Sequence, residues 1–241
     1  GGANTAVGSR ALEANTTAAS NTAVGYKAML STTTGANNVA VGRDSLAANT
    51  TAGDNIAIGD SAMLVNTTGA YNVAVGSQAL DANTTACRNT AVGFHSMGAN
   101  TTGTYNAAFG NYSLKLNTTG SNNTASGSYA LNNSTTASYN AAFGSQSLYA
   151  NTTGQMNTAV GHYTMLSNST GHSNTAIGWK VLEDNTTANG NTGVGRQALY
   201  QNTTGASNTA VGYGALYTNT TGAGNVSMGQ DCLTYNTTGA N

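Results

Sequence analysis

The sequence predicts an all-β fold, a parallel β-solenoid (β-roll) of fourteen 17-residue rungs, and three observations predict it. The first is the period. Asn-Thr-Ala-Val-Gly at Asn4–Gly8 returns at Asn21–Gly25, then in closely related form at Asn38–Gly42 and Asn55–Gly59, each time 17 residues further on. The spacing runs without a slip to Asn225, which makes fourteen units. A strict period of this kind decides architecture before any local propensity does. The second is what the unit never changes. Position 1 is Asn, position 5 Gly and position 14 Thr in all fourteen copies, and position 9 is only Leu or Met. The third is the glycine content: an invariant Gly, and usually another at position 15, cost a helix of this length too much.

Taken in order, the unit reads as follows. Positions 2–4 alternate small and β-branched residues, which predicts a short strand with Ala at position 3 facing one way and Val, Ile or Phe at position 4 the other. The invariant glycines Gly8, Gly25, Gly42, Gly59, Gly76, Gly93, Gly110, Gly127, Gly144, Gly161, Gly178, Gly195, Gly212 and Gly229 mark a structural turn, where φ is positive or backbones approach too closely for a Cβ. Positions 7–10 are expected to form a second short strand with Leu or Met inward. The following Asn-Thr-Thr-Gly is a turn in which side chains bond nearby backbone. Stacking then puts Asn on Asn, Leu on Leu and Thr on Thr, and a rise of about 4.8 Å per rung gives a rod of roughly 67 Å.

Composition narrows the function classes. Charged residues are 6% and the net charge is −1, so no electrostatic footprint for nucleic acid is present. No apolar run reaches the roughly 18 residues of a membrane helix, so no membrane insertion is expected of this segment. Residues 1–241 read as a single uncapped array, a segment of a longer fibre, since neither end carries a polar cap. Only two large apolar side chains per rung, at positions 4 and 9, are thin cover for ordering 17 residues. Association of identical chains is therefore expected, as a parallel homotrimer whose small faces, Ala at position 3 and Ala or Ser at position 8, meet.

The Asn-Thr-Ala-Val-Gly…Ala-Leu step resembles the Ser-Val-Ala-Ile-Gly…Ala step of YadA-like head repeats in trimeric autotransporter adhesins. The longer unit with its Asn-Thr-Thr-Gly turn also resembles repeat regions of bacteriophage and cyanophage tail fibres. The resemblance covers the whole chain. It implies left-handed parallel β-rolls assembled as trimers, and an extracellular, cell-surface or virion location. The 17-residue unit is longer than the usual head repeat.

Chemistry-bearing residues are sparse. His95, His162 and His172 fall at positions 7, 6 and 16, so stacking gathers no metal site. Asp44, Asp54, Asp60, Asp231, Glu13 and Glu183 are scattered, and Glu13, Asp81 and Glu183 share position 10 only on distant rungs. No nucleophile–base pair appears, and neither an enzyme nor a cofactor is expected. Cys87 and Cys232 lie nine units apart, roughly 43 Å at the rung spacing, beyond disulfide reach. The Asn-Thr-Thr column reads in two ways. It is a set of turn-capping ladders, or it is a set of N-glycosylation acceptors at Asn15, Asn49, Asn66, Asn83, Asn100, Asn117, Asn151, Asn168, Asn185, Asn202, Asn219 and Asn236, with Asn133 shifted by one in unit eight. Tyrosines cluster at positions 6, 7, 10 and 17, either as cover for neighbouring rungs or as a stripe for cell-surface carbohydrate.

The functional expectation is a structural extracellular fibre with an adhesive or host-attachment role. The alternative is a self-assembling, glycan-coated filament without a specific receptor. Ice binding by Thr columns is a third reading, weakened because adjacent threonines do not share one flat face.

Overall fold

A unit that meets an invariant glycine at its fifth residue can extend for only three residues, and it does so in every copy. The structure, a computed structural model, describes residues 2–240, and no helix occurs among them. The chain falls into two compact units, Gly1–Asn122 and Asn123–Asn241. Unit 1 carries β1 (Thr5–Val7), β2 (Thr22–Val24), β3 (Val39–Val41), β4 (Ile56–Ile58), β5 (Val73–Val75), β6 (Thr90–Val92) and β7 (Ala107–Phe109). Unit 2 carries β8 (Thr124–Ser126), β9 (Ala141–Phe143), β10 (Thr158–Val160), β11 (Thr175–Ile177), β12 (Thr192–Val194), β13 (Thr209–Val211) and β14 (Val226–Met228).

Within each unit, every strand pairs in parallel with the next in sequence. Register is set by the repeat: Ala23 opposes Ala40 and Ala40 opposes Ala57. Like residues therefore stack, and the fold is a parallel β-solenoid. Ladder bonds are short, for example Thr22 N–H to the Asn38 carbonyl at 2.9 Å and Gly42 N–H to the Val24 carbonyl at 2.8 Å.

The interior is narrower than the sequence suggests. Its column of large side chains is position 9, where Met29, Leu46, Met63, Leu80, Leu148 and Leu199, among others, are fully buried. Alanine fills the rest: Ala23, Ala40 and Ala57 at position 3, and Ala28, Ala62 and Ala79 at position 8, are also fully buried. Position 4 is not a core position, which corrects the expectation that its residues share the interior with Leu and Met. Ile58, Phe143 and Ile177 are 39%, 43% and 42% exposed. The strand alternates as predicted, but Ala faces in and the larger residue faces out, because position 9 already occupies the lumen. The small faces expected to join separate chains are thus consumed inside each coil.

The second strand is also absent. Positions 7–10 form a curled turn in which positions 7 and 9 both have positive φ, as at Arg10 (60°), Leu12 (54°), Lys27 (55°) and Met29 (52°). A period-two strand sends neighbours to opposite faces, yet Ala28 and Met29 are adjacent and both fully buried. The left-handed residue turns both inward. Such a conformation costs a non-glycine residue roughly 1–2 kcal/mol. Bonds between rungs hold it there: Met29 N–H reaches the Ser45 carbonyl at 3.0 Å and Lys27 N–H the Ser9 carbonyl at 3.0 Å. The invariant glycine before this curl has φ between 114° and 144°. A Cβ added to Gly8 would stand 2.6 Å from the Gly25 carbonyl oxygen, so rungs approach too closely for any side chain.

One pair of neighbouring rungs shows how tightly the lumen is filled. Position 3 is Ala except for Gly193 and Ser227, and position 8 carries its only valine at Val181. These two departures meet, since a Cβ on Gly193 would lie 2.5 Å from Val181 Cγ1. The extra volume of one residue is taken from the other. Gly193→Ala is expected to destabilise the chain by about 1–3 kcal/mol through overpacking. Adding Val181→Ala is expected to recover most of that loss, a positive coupling that urea denaturation of the four-variant cycle measures.

Candidate functional site

Two asparagine ladders close the coil, and they define which surfaces are left for function. In the position-1 ladder each side-chain oxygen accepts the backbone N–H of the next Asn: Asn21 N–H reaches Asn4 Oδ1 at 2.9 Å and Asn72 N–H reaches Asn55 Oδ1 at 2.9 Å. The same side chain's Nδ2 crosses the coil to the position-15 carbonyl, as from Asn55 to Gly69 O at 2.9 Å. The position-12 ladder donates to that same oxygen, with Asn66 Nδ2 also 2.9 Å from Gly69 O. It further links rung to rung, with Asn83 Nδ2 donating to Asn66 Oδ1 at 2.8 Å. Burial without such partners would cost each amide several kcal/mol.

Twelve of the thirteen candidate glycosylation sites are members of the position-12 ladder. Asn49, Asn66, Asn83, Asn100, Asn117, Asn151, Asn168, Asn185, Asn202 and Asn219 are fully buried. Their Nδ2 atoms, where sugar would attach, already donate hydrogen bonds. A glycan on these columns would displace the bonds that close the rung. Asn15 and Asn236 are half-buried, and Asn133, one place out of the column, is half-buried as well. Thr at position 13 supplies another ladder, for example Thr67 Oγ1 to the Thr84 carbonyl at 3.0 Å. Thr at position 14 is different. It is exposed in every unit, from Thr17 to Thr238, so packing does not demand its recurrence.

Three outward features remain. One is the strand face, where positions 2 and 4 present Ile56, Ile58, Phe109, Phe143, Val160 and Ile177 to solvent. Sequence reasoning missed it, although a signal existed: position 4 tolerates Val, Ile, Phe, Ser and Met, while position 3 accepts only Ala, Gly and Ser. The second is the variable columns at positions 6, 7, 10 and 17. Arg88 lies between Tyr71 and Tyr105, at 5.5 and 5.4 Å from their ring centroids, and bonds the Tyr105 hydroxyl at 2.9 Å. In unit 2, Tyr200 and Tyr217 stack at 4.9 Å, while Lys180 pairs with Glu183 at 3.1 Å and lies over Tyr163, Trp179 and Tyr200. Both readings of the tyrosines are thus compatible with their placement. The third is an open groove of about 700 Å³ between columns 7 and 10–11 of unit 2, lined by Tyr129, Gln146, Tyr149, Ala150, Leu166 and Ser167.

The titratable residues meet in isolated pairs, such as Arg43 with Asp60 and Lys180 with Glu183. His95 packs against Phe94 and Tyr112 at 4.4 and 5.8 Å, and His172 bonds Ser173 Oγ at 3.2 Å. Among the described residues no three His, Cys, Asp or Glu side chains group as a metal site, and Cys87 and Cys232 are free and half-buried. The carboxyl of Asp60 is held below its ordinary value by its hydrogen bond with Arg43. Burial pushes the Asp81 carboxyl up, against the opposing pull of His95.

Comparison with known proteins adds no relative: no family model, no curated protein and no solved structure matches the chain.

Two predictions follow from these columns. The second rung has Thr32 in place of the ladder asparagine, and Asn49 Nδ2 reaches its hydroxyl at only 3.4 Å. Thr32→Asn is expected to complete the ladder and stabilise the chain by about 0.5–1.5 kcal/mol, read by denaturant midpoint. Asp81 has a raised carboxyl, so the protonated form is the one the fold favours, and stability is lost as pH rises from its ordinary 3.8 through the folded value. Asp81→Asn is expected to flatten that decline and to melt higher than the parent chain at neutral pH.

Proposed function

We propose that this chain is a segment of a structural extracellular fibre, built from identical chains side by side, with an adhesive or host-attachment role. The observation that carries the reading is the outward strand face. Position 4 forms an in-register column of Val, Ile, Phe and Met broken only by Ser126, beside a position-2 column of Thr, Val, Ile and Ala; the coil itself does not use their outward faces, Ile56, Ile58 and Ile177 among them. A largely apolar column of this regularity is what lateral packing against a second copy requires. A parallel homotrimer joined through this face buries it, in place of the alanine faces that the coil has consumed. The exposed Thr column at position 14, kept in all fourteen units without a packing reason, supports a surface under its own constraint. Multiplied over identical rungs, weak contacts made by such surfaces add by avidity.

The ladder residues are occupied by structure, and the variable residues lie on the outside of a stiff, repetitive scaffold. A surface of this kind binds by display and repetition.

Sedimentation velocity tests the assembly. The parent chain is expected to run as a trimer. Ile58→Asp, which places a charge on the face without touching the lumen, is expected to shift it to monomer with the β signal of each chain retained. A parent chain that sediments as a monomer removes the proposal, and open-ended growth into fibrils favours the receptor-free filament instead.

A further inference from the structure

We infer that the groove of unit 2 is a binding site for an extended, neutral, β-linked glycan lying along the stacking direction. The groove draws its walls from three successive rungs: Tyr129 from the first, Gln146 and Tyr149 from the second, Leu166 and Ser167 from the third. Its long direction is therefore the direction of stacking, and its occupant is elongated. The rise per rung is about 4.8 Å, close to the length of one sugar ring in an extended β-linked chain, so one sugar falls opposite each rung.

The side chains suit a sugar in particular. Tyr129 and Tyr149 present two rings whose centroids are 6.4 Å apart and inclined at 59°. Flat amphipathic rings of this kind cover the C–H face of a pyranose while their hydroxyls bond its rim. Gln146 brings an amide that both donates and accepts, and Ser167 a hydroxyl. No charged side chain lines the groove. The nearby Lys180 is neutralised by Glu183 at 3.1 Å. The occupant is accordingly uncharged.

The placement of these rings is local. Columns 7 and 10 of unit 2 hold Tyr129, Tyr149, Tyr163, Tyr200 and Tyr217, whereas the same columns of unit 1 hold one tyrosine, Tyr112, amid Arg10, Lys27, Asp81 and Lys115. The coil folds with either set, so the aromatic set answers to something other than folding. The groove also uses columns different from those of the strand face.

This inference rests on the adhesive reading, and its failure is separable: assembly is read by sedimentation, sugar binding by titration. The test is calorimetric titration of the full chain with cellohexaose, beside maltohexaose as a coiled α-linked control. Cellohexaose is expected to bind and maltohexaose not. Tyr149→Ala is expected to weaken binding by about tenfold or more, the loss of one stacking platform. Ala47 occupies the same column in another rung, so the truncation is compatible with the fold. Gln146→Ala is expected to weaken binding too, and Tyr112→Ala in unit 1 to leave it unchanged. No heat with cellohexaose at millimolar concentration overturns the inference. So does equal binding of both sugars, or binding indifferent to Tyr149→Ala and Gln146→Ala.

Discussion

In every rung that carries asparagine at position 12, the single carbonyl oxygen of position 15 accepts two asparagine amides, and the rest of the structure depends on that convergence. Gly103 O takes Asn89 Nδ2 at 2.8 Å and Asn100 Nδ2 at 3.0 Å. One amide comes from the start of the strand and the other from the turn, so the two ends of the coil are fastened at one point. Each asparagine also bonds the rung beside it. Closure of a rung and stacking of rungs are therefore the same set of bonds, which is why the unit keeps these positions while the surface varies.

Such closure leaves little room inside. A lumen crossed by amides accommodates one large side chain per rung, and alanine is what fits opposite it. The Gly193–Val181 exchange shows the limit: a valine is admitted only where the facing alanine gives up its Cβ. The larger apolar residues of the strand are then turned outward at position 4. The fold thus adds an apolar column to the exterior as a consequence of a narrow, partly polar interior, and that column carries the functional reading.

Period, stacking register, the three-residue strand and the special glycine were all legible, because each follows from a constraint repeated fourteen times. The direction of the strand's two faces was not. Val7 or Ile58 looks like core by hydrophobicity alone, and only the bulk of position 9 decides that it cannot be. The curl at positions 7–10 was hidden for a related reason: Ala-Leu is neutral in propensity, and left-handed φ at Leu12 or Met29 is imposed by bonds to neighbouring rungs that no single unit contains. The Asn-Thr-Thr motif was legible as a turn, but the sugar-acceptor pattern and the ladder pattern share the same residues. That most of their Nδ2 atoms are buried donors was not legible, because burial is a property of the stack. The groove was half visible. Its tyrosines were in plain view, while their convergence with Gln146 and Ser167 on neighbouring rungs needed the coil path.

The central claim is that like asparagines bond across one turn of 17 residues. The most direct measurement is NMR of the isotope-labelled chain, seeking scalar coupling through the hydrogen bond, or cross-peaks, between the Asn72 backbone amide and the Asn55 side-chain carbonyl, and likewise down the column. The account predicts asparagine-to-asparagine connections at this spacing along each ladder and none between asparagines at other spacings. Asparagine side chains coupled only to water, or asparagines paired with one another at a different sequence separation, would contradict it.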